Sequence, residues 1–377
     1  MQSLWNFCLL AILFGGSGTT DAKETIVIWH TLDVLPADVL KHHLDQFSKD
    51  KNVTFRLETG MDIVQSMMEV DLISDIPDAL IGPSDFIGHA DAISLFPIDH
   101  LDEKIYADGV TTLVKMNGKI WGYPLVWGNH LMLLHDGKTP AIERLEELKK
   151  PGSSPIGMHV GEPYVFLMFV LGQFDQKVKT FSGVDLTEAS IVKALKDYQS
   201  FVDGNAVPKD CDYQCVTRDF YQGKLKYAIN GDWVLAETEK HMGTNVRLAA
   251  LPKFNQLQLR SPCASTALML TKTVKDNLEK KRILAELAMF LLQKDQQLSW
   301  FKNARRSPAN KIVYSELVKS SGGNDKVMLD ALASSVCILP DQRISAMWPA
   351  MRKGLRLYMS GARSAEDAAK YILQLSN

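Results

Sequence analysis

Three stretches of the chain place an aromatic side chain at the predicted start of a helix. In the first, Tyr227 to Ile229 reads as a short buried strand, and Asn230-Gly231 permits the turn that ends it. Asp232 is a good N-cap for a helix from about Trp233 to Met242. Ligands of open α/β sheets bind at the carboxyl ends of strands, so this tryptophan is a candidate contact. Taken alone, however, a tryptophan is more simply explained by packing in the core.

The same arrangement recurs twice. Glu162, Pro163 and Tyr164 follow a predicted strand, with the proline in the favoured first helical position. Trp348 precedes Pro349, and we expect this ring to lie at a helix start as well, because proline is tolerated in a first turn. Three such rings indicate a shared cleft better than three separate core residues.

Aromatic rings beside carboxylates suit a carbohydrate. The C–H face of a pyranose packs on an indole or phenol ring, and carboxylates accept hydrogen bonds from hydroxyls, which are stronger when the acceptor is charged. A cleft between two lobes buries both features at once. A polyamine also suits this mixture of rings and carboxylates, whereas a sugar phosphate would need arginine or lysine.

Composition and charge bound the function. At 377 residues, with 46% apolar and 23% charged side chains, the chain predicts roughly two globular domains. A net charge of -2 gives no electrostatic case for nucleic acid or an anionic membrane surface. No phosphate loop, nucleophile elbow or His-Glu-x-x-His motif occurs, so no cofactor is predicted and an enzyme has no support. The pair His42-His43 is interpreted as a solvated helix face, because adjacent residues point too far apart to chelate one metal.

The N-terminus indicates export. Leu4 to Phe14 is an apolar run of signal-peptide length, followed by small residues, although no lysine or arginine precedes it. We expect cleavage after Ala22, so that residues 1–22 form a signal peptide. An oxidising compartment permits disulfides among the remaining cysteines. A local bridge between Cys211 and Cys215 is plausible, and Cys263 and Cys337 either form a second bridge or stay reduced.

Strands and helices alternate at the spacing of βαβ units, which predicts a mostly parallel sheet in each of two lobes. An amphipathic helix is predicted around Val64 to Leu72, and Asn117-Gly118 is predicted to form a hairpin turn. A second alternation begins near residue 130 without a long linker, and the last third is mainly helical.

Short motifs run in order through nearly all of the mature chain. They are Ile26-Val27-Ile28-Trp29, Asp75-Ile76-Pro77-Asp78, Asn117-Gly118-Lys119 with Tyr123-Pro124, Glu162-Pro163-Tyr164, Ile229-Asn230-Gly231-Asp232-Trp233, Leu251-Pro252, Trp348 with Arg352, and Ser360-Gly361. Each is weak alone, but in this order and spacing the chain resembles the extracellular solute-binding proteins of ABC sugar importers, of the maltose-binding-protein type.

The resemblance implies an α/β, two-lobed periplasmic-binding-protein fold (type II) with a hinge of several crossing segments. The implied N-terminal lobe is residues 23–127 with 265–318, and the implied C-terminal lobe is residues 128–264 with 319–377. It further implies a monomeric periplasmic receptor that delivers its ligand to an ABC permease and neither makes nor breaks a bond. A secreted glycoside hydrolase, which also uses aromatic rings and paired carboxylates, is the alternative from another class.

The resemblance also implies particular ligand contacts. The matching positions are the aromatic Tyr164, Trp233 and Trp348, the carboxylates Asp33, Asp85 and Glu162, and the arginine Arg352. Four positions differ from the pattern: Gly82 replaces an aromatic, Val34 and Phe86 replace basic residues, and Gly128 replaces a glutamate. Trp127, beside that glycine, is a candidate to supply a ring instead, and the alternative for it is an exposed hinge aromatic. These departures leave the ligand open between a sugar and another solute such as a polyol, polyamine or sugar phosphate.

Overall fold

The structure is a computed structural model that describes residues 23–60, 76–150, 153 and 155–374. The predicted signal peptide and the predicted helix around Val64 to Leu72 lie outside the described residues. Within the described ranges, no helix combines the length and apolar character that crossing a membrane requires.

Seventeen strands are described. They are β1 Glu24–His30, β2 Val53–Thr59, β3 Ala79–Pro83, β4 Leu95–Phe96, β5 Lys115–Met116, β6 Lys119–Ile120, β7 Tyr123–Gly128, β8 Leu131–His135, β9 Ile156–Gly157, β10 Thr180–Phe181, β11 Tyr227–Gly231, β12 Arg247–Ala249, β13 Lys253–Phe254, β14 Leu257–Gln258, β15 Pro262–Thr271, β16 Ser307–Pro308 and β17 Val336–Ile338.

The α-helices of the described residues lie mostly in the last third, as predicted. They are α1 Val34–Ser48, α2 Pro163–Leu171, α3 Glu188–Phe201, α4 Leu235–Met242, α5 Leu278–Leu291, α6 Lys294–Ala304, α7 Lys311–Ser320, α8 Gly323–Ser334, α9 Gln342–Met359 and α10 Ala365–Gln374. Two short 3-10 segments matter for the site, Ser84–His89 and Asp232–Val234.

Two sheets carry the two lobes. The larger has nine strands, with the order β10-β17-β15-β3-β1-β2 along its main path. The smaller has the order β12-β8-β11-β9. The expectation of a mostly parallel sheet needs a correction in both. In the larger sheet β15 runs antiparallel to β3, β4 and β7, and β16 runs antiparallel to β7. In the smaller sheet β8 runs antiparallel to both β11 and β12. Alternation along the chain predicts parallel neighbours only where successive strands pair, and β8 pairs instead with strands that come much later.

Each sheet has its own apolar core. One cluster of buried side chains draws on residues 26–126 and 267–309, and the other on residues 131–259, Phe301 and residues 328–372. A fully buried leucine, isoleucine or phenylalanine stabilises the fold by about 1.5–3 kcal/mol relative to an exposed one. The two clusters therefore give each lobe an independent source of stability.

The prediction that His42 and His43 both face solvent is wrong for His43. His43 is only 1% exposed and packs edge-on against Trp300, with ring centroids 5.9 Å apart. Helix α1 turns this side chain toward α6, whereas the adjacent His42 points to solvent. Adjacent helical residues differ by about 100° in direction, so one of the two can be buried while the other is not.

Strand β15 links the lobes. Its first residues pair with β17, and its later residues pair with β3 and β7. Both cysteine bridges form: Cys211 with Cys215, and Cys263 in β15 with Cys337 in β17. The pairing left open from the sequence is thus a second disulfide, and it ties two strands together where the chain crosses between lobes.

Candidate functional site

A cleft of about 890 Å³ lies between the two lobes. Its first-lobe wall consists of residues 31–33, which directly follow β1, and of the end of β3 with the 3-10 segment after it. Its second-lobe wall comes from the start of α2, the end of β11 and the first half of α9. The predicted contacts that line it are Asp33, Asp85, Glu162, Tyr164, Trp233, Trp348 and Arg352.

The three predicted rings share one wall. Tyr164 meets Trp233 edge-on, with ring centroids 5.8 Å apart, and lies nearly parallel to Trp348 at 5.9 Å. The hydroxyl of Tyr164 donates a hydrogen bond to the carbonyl of Asn129, which lies between β7 and β8 where the chain crosses from one lobe to the other. This bond holds the ring against the crossing. Rings from three separate segments of the chain therefore form one aromatic surface.

Helix α2 begins as the sequence predicts. The Glu162 carboxylate caps it by accepting a hydrogen bond from the Tyr164 backbone N–H at 3.4 Å, and Pro163 takes the first helical position. The same carboxylate faces the Arg352 guanidinium at 3.5 Å. This ion pair marks the point where the cleft continues into a second cavity of about 540 Å³, because Glu162 and Arg352 line both.

Trp348 reaches the cleft for a different reason than the one predicted. Pro349 lies inside the 18-residue helix α9, and so Trp348 is in mid-helix. An interior proline costs about 3 kcal/mol, because it removes a backbone hydrogen bond and crowds the carbonyl four residues earlier. Packing offsets that cost, since α9 buries Ile344, Met347 and Met351 in the second-lobe core.

Asp232 is not the helix cap that its position in the sequence suggests. Its side chain is 0% exposed, and one carboxylate oxygen lies 3.0 Å from the Arg306 guanidinium. The other oxygen lies 3.5 Å from Nδ1 of His130 and accepts a hydrogen bond from the Asn129 N–H at 3.2 Å. Burial alone would raise the pKa of Asp232, but Arg306 and His130 outweigh it and hold that pKa below its usual value. The carboxylate therefore joins β11 to the β7–β8 crossing.

The same carboxylate leaves no room for a side chain at position 128, so a glycine is needed there. A Cβ atom at this position would lie 2.1 Å from Oδ2 of Asp232, which is inside the van der Waals limit. Asp232 thus fills the space next to the crossing that a side chain at residue 128 would need.

Trp127 lies away from the cleft. Its ring packs on Tyr314, with centroids 5.2 Å apart, and its Nε1–H donates to Sγ of Cys337 at 3.4 Å. It belongs to a small apolar cluster around the Cys263–Cys337 bridge. The structure does not bring this ring to the other predicted contacts, because successive residues of a strand point to opposite faces.

The two first-lobe carboxylates are half-buried in the cleft. Burial raises the pKa of Asp85 to about 6, although hydrogen bonding to its own backbone opposes the shift. Burial also raises the pKa of Asp33, while nearby Arg306 acts to lower it. The backbone carbonyl of Asp85 accepts a hydrogen bond from the Ser345 hydroxyl at 3.1 Å, which is a direct contact between the lobes.

Several lining residues escaped the sequence reasoning. Among them are His89, Asn129, Tyr213 and Arg306. Tyr213 had a usable signal, because it lies inside the short Cys211–Cys215 loop, which restrains its backbone. Arg306 had none, since its role depends on a partner 74 residues away in sequence.

The solved structures that resemble this fold include the following two. The GacH receptor of Streptomyces glaucescens GLA.O, solved unliganded and in complex with acarbose and an acarbose homolog, matches with a TM-score of 0.79 and 17% identity over 93% of this chain and 97% of that chain. The maltose/maltodextrin-binding domain MalE from Bdellovibrio bacteriovorus, bound to maltotriose, matches with a TM-score of 0.79 and 19% identity over 93% and 98%. At these identities the likeness establishes the two-lobed α/β fold. A search among curated proteins found no match.

A comparison with protein families supplies the identity. Residues 43–324, about three quarters of the chain, match the family described as bacterial extracellular solute-binding protein. Membership confirms the prediction of a binding protein in place of an enzyme, and it implies export from the cytoplasm. The chain belongs to the bacterial extracellular solute-binding proteins.

Proposed function

We propose that this protein is a periplasmic receptor that captures a sugar or oligosaccharide between its lobes and delivers it to an ABC importer. The observation that carries the proposal is the shared wall of Tyr164, Trp233 and Trp348, which faces carboxylates across one cleft. The resembling GacH and MalE structures, which hold acarbose and maltotriose, support the choice of a carbohydrate.

The side chains divide the work of binding. The rings offer flat apolar surface to the C–H faces of a sugar, and the carboxylates accept hydrogen bonds from its hydroxyls. Nε of Arg306 and Nδ2 of Asn129 are buried donors without a partner among the described residues, and both residues line the cleft. Oxygen atoms of a bound sugar would satisfy them, which makes binding favourable because an unpaired buried donor costs about 1–3 kcal/mol.

Lobe closure completes the site. The lobes are proposed as residues 23–127 with 265–318 and residues 128–264 with 319–377, a division that the two apolar clusters support. Closure by hinge motion would remove water from both walls at once. The protein is proposed to act as a monomer after removal of residues 1–22, and to present the closed form to its permease.

The test is binding by the exported form of the chain. Thermal-shift measurements with maltotriose and acarbose should show a rise in Tm, because a ligand that binds only the folded state stabilises it by mass action. Calorimetry should then show that Trp233→Ala and Trp348→Ala each weaken binding at least tenfold, equivalent to about 1.4 kcal/mol.

Trp127→Phe is the matched control. It keeps a ring against Tyr314 and lies away from the cleft, so its affinity should stay within about twofold of the unaltered protein. Unchanged affinity in both cleft variants, or the lack of any stabilising sugar in a broad panel, would refute the proposal.

A further inference from the structure

We infer that the ligand carries a protonated amine as well as hydroxyls, and that Asp85 is the carboxylate that binds this amine. An amino-sugar oligosaccharide is the chemical class that fits. The inference rests on the proposed function and narrows its ligand.

The charges of the cleft are unbalanced. Arg306 and Arg352 line it, but Arg306 is paired with the buried Asp232 at 3.0 Å and Arg352 faces Glu162 at 3.5 Å. Asp33 and Asp85 also line the cleft, and neither forms an ion pair with any residue that the structure describes. The bound state therefore has two half-buried carboxylates to which a ligand could supply positive charge.

Asp85 is the better placed of the two. Arg306 contributes to the electrostatics of Asp33, whereas no basic side chain does so for Asp85. The carboxyl of Asp85 instead acts electrostatically on Tyr164, and Tyr164 and Trp348 line the same cleft, so aromatic surface lies near it. A carboxylate desolvated in this way is stabilised most by a cation, and the rings add cation–π attraction.

Neighbouring groups leave this imbalance in place. The residue after Asp85 is the apolar Phe86, which also lines the cleft. His89, on the same 3-10 segment, has a pKa lowered by burial, which favours its neutral form. Across the cleft, the charge of Glu162 is offset by Arg352 and does not alter the balance.

Oxygen atoms are needed as well, which separates an amino sugar from a plain polyamine. Arg306 is only 4% exposed. Among the described residues, neither Nε of Arg306 nor Nδ2 of Asn129 has a hydrogen-bond partner. Both atoms are donors in residues that line the cleft, so acceptor oxygens on the ligand would satisfy them. A polyamine has no acceptor oxygen. A metal ion is a poor alternative, because the described residues contain no cluster of three or more metal-ligating side chains.

Calorimetry at pH 6.5 with four probes tests the inference. The probes are the glucosamine trimer, its fully N-acetylated counterpart, maltotriose and spermidine. We expect the glucosamine trimer to bind at least tenfold tighter than the N-acetylated trimer, which has the same length but no cationic amine. Asp85→Asn should reduce that preference to less than threefold, and Asp91→Asn, an exposed carboxylate on the adjoining turn, should leave it unchanged.

The outcomes distinguish a failure of the amino-sugar inference from a failure of the proposed sugar-receptor function. If the N-acetylated trimer or maltotriose binds as tightly as the glucosamine trimer, or more tightly, the inference of an amine on the ligand is overturned. The proposed function as a sugar receptor then stands. Binding of spermidine with failure of all three oligosaccharides would overturn the amino-sugar inference and the sugar function together. Failure of all four probes would overturn the amino-sugar inference, and the broad sugar panel would then decide the sugar function. Retention of the amine preference in Asp85→Asn, with a Tm showing that the variant is folded, would overturn the assignment to Asp85.

Discussion

Replacing Arg306 by methionine should be far more costly than the loss of one surface charge. The substitution keeps similar bulk but removes the cation that lies 3.0 Å from the fully buried carboxylate of Asp232. At that distance and an effective dielectric constant of about 20, the lost attraction is about 5.5 kcal/mol. His130 and the Asn129 N–H stay near the carboxylate, so we expect the free energy of unfolding to fall by about 3–5 kcal/mol.

The loss should also depend on pH. In the unaltered protein the pKa of Asp232 is below its usual value, so its contribution is fully present at pH 5 and above. Without Arg306, burial raises that pKa above the unfolded value, and the folded state then binds a proton more readily than the unfolded state. The variant should therefore lose stability as pH rises, and its deficit should be larger at pH 7.5 than at pH 5.

Urea denaturation at both pH values measures these effects. Adding Asp232→Asn to Arg306→Met should recover part of the loss at pH 7.5, because a neutral amide has no buried charge to compensate. The exposed Arg282→Met is the control: its side chain is 55% exposed and its partners Glu279 and Glu286 are 55% and 37% exposed, so the ion-pair loss should be about 1 kcal/mol or less. A deficit in Arg306→Met that is equal to this control, independent of pH and not recovered in the double variant would refute the reasoning.

Two further predictions concern stability. Burial and the neighbouring His42 lower the pKa of His43 to about 4, so the folded state favours the neutral form of this side chain. Stability should therefore decline as pH falls from about 6.5 to about 4. The unfolding free energy of His43→Leu should lack this decline, and an unchanged slope across that pH range would contradict the prediction. The Cys263–Cys337 bridge spans 74 residues and Cys211–Cys215 spans 4, so chain entropy predicts losses of about 4 and about 2 kcal/mol on replacing each pair by alanine. Denaturation of the two double variants tests that order, and a larger loss for the short bridge would reverse it.

Much of the fold follows from local sequence. The β-branched run after Thr25 forms β1, and the Asn117-Gly118 pair forms the predicted turn with positive φ at both residues. Glu162 and Pro163 begin α2 as expected. These features depend on residues within one turn or one strand of each other, where propensity and hydrogen bonding act directly.

The site needed the tertiary structure. The sequence by itself determined which rings and carboxylates were available, but it did not determine that Asp232 would pair with Arg306, that Trp127 would turn to the hinge, or that Pro349 would be held inside a helix. Each outcome depends on burial beside groups far away in the chain. The free energy of desolvating a charge or a ring is set by those distant neighbours, and no pattern of adjacent residues contains it.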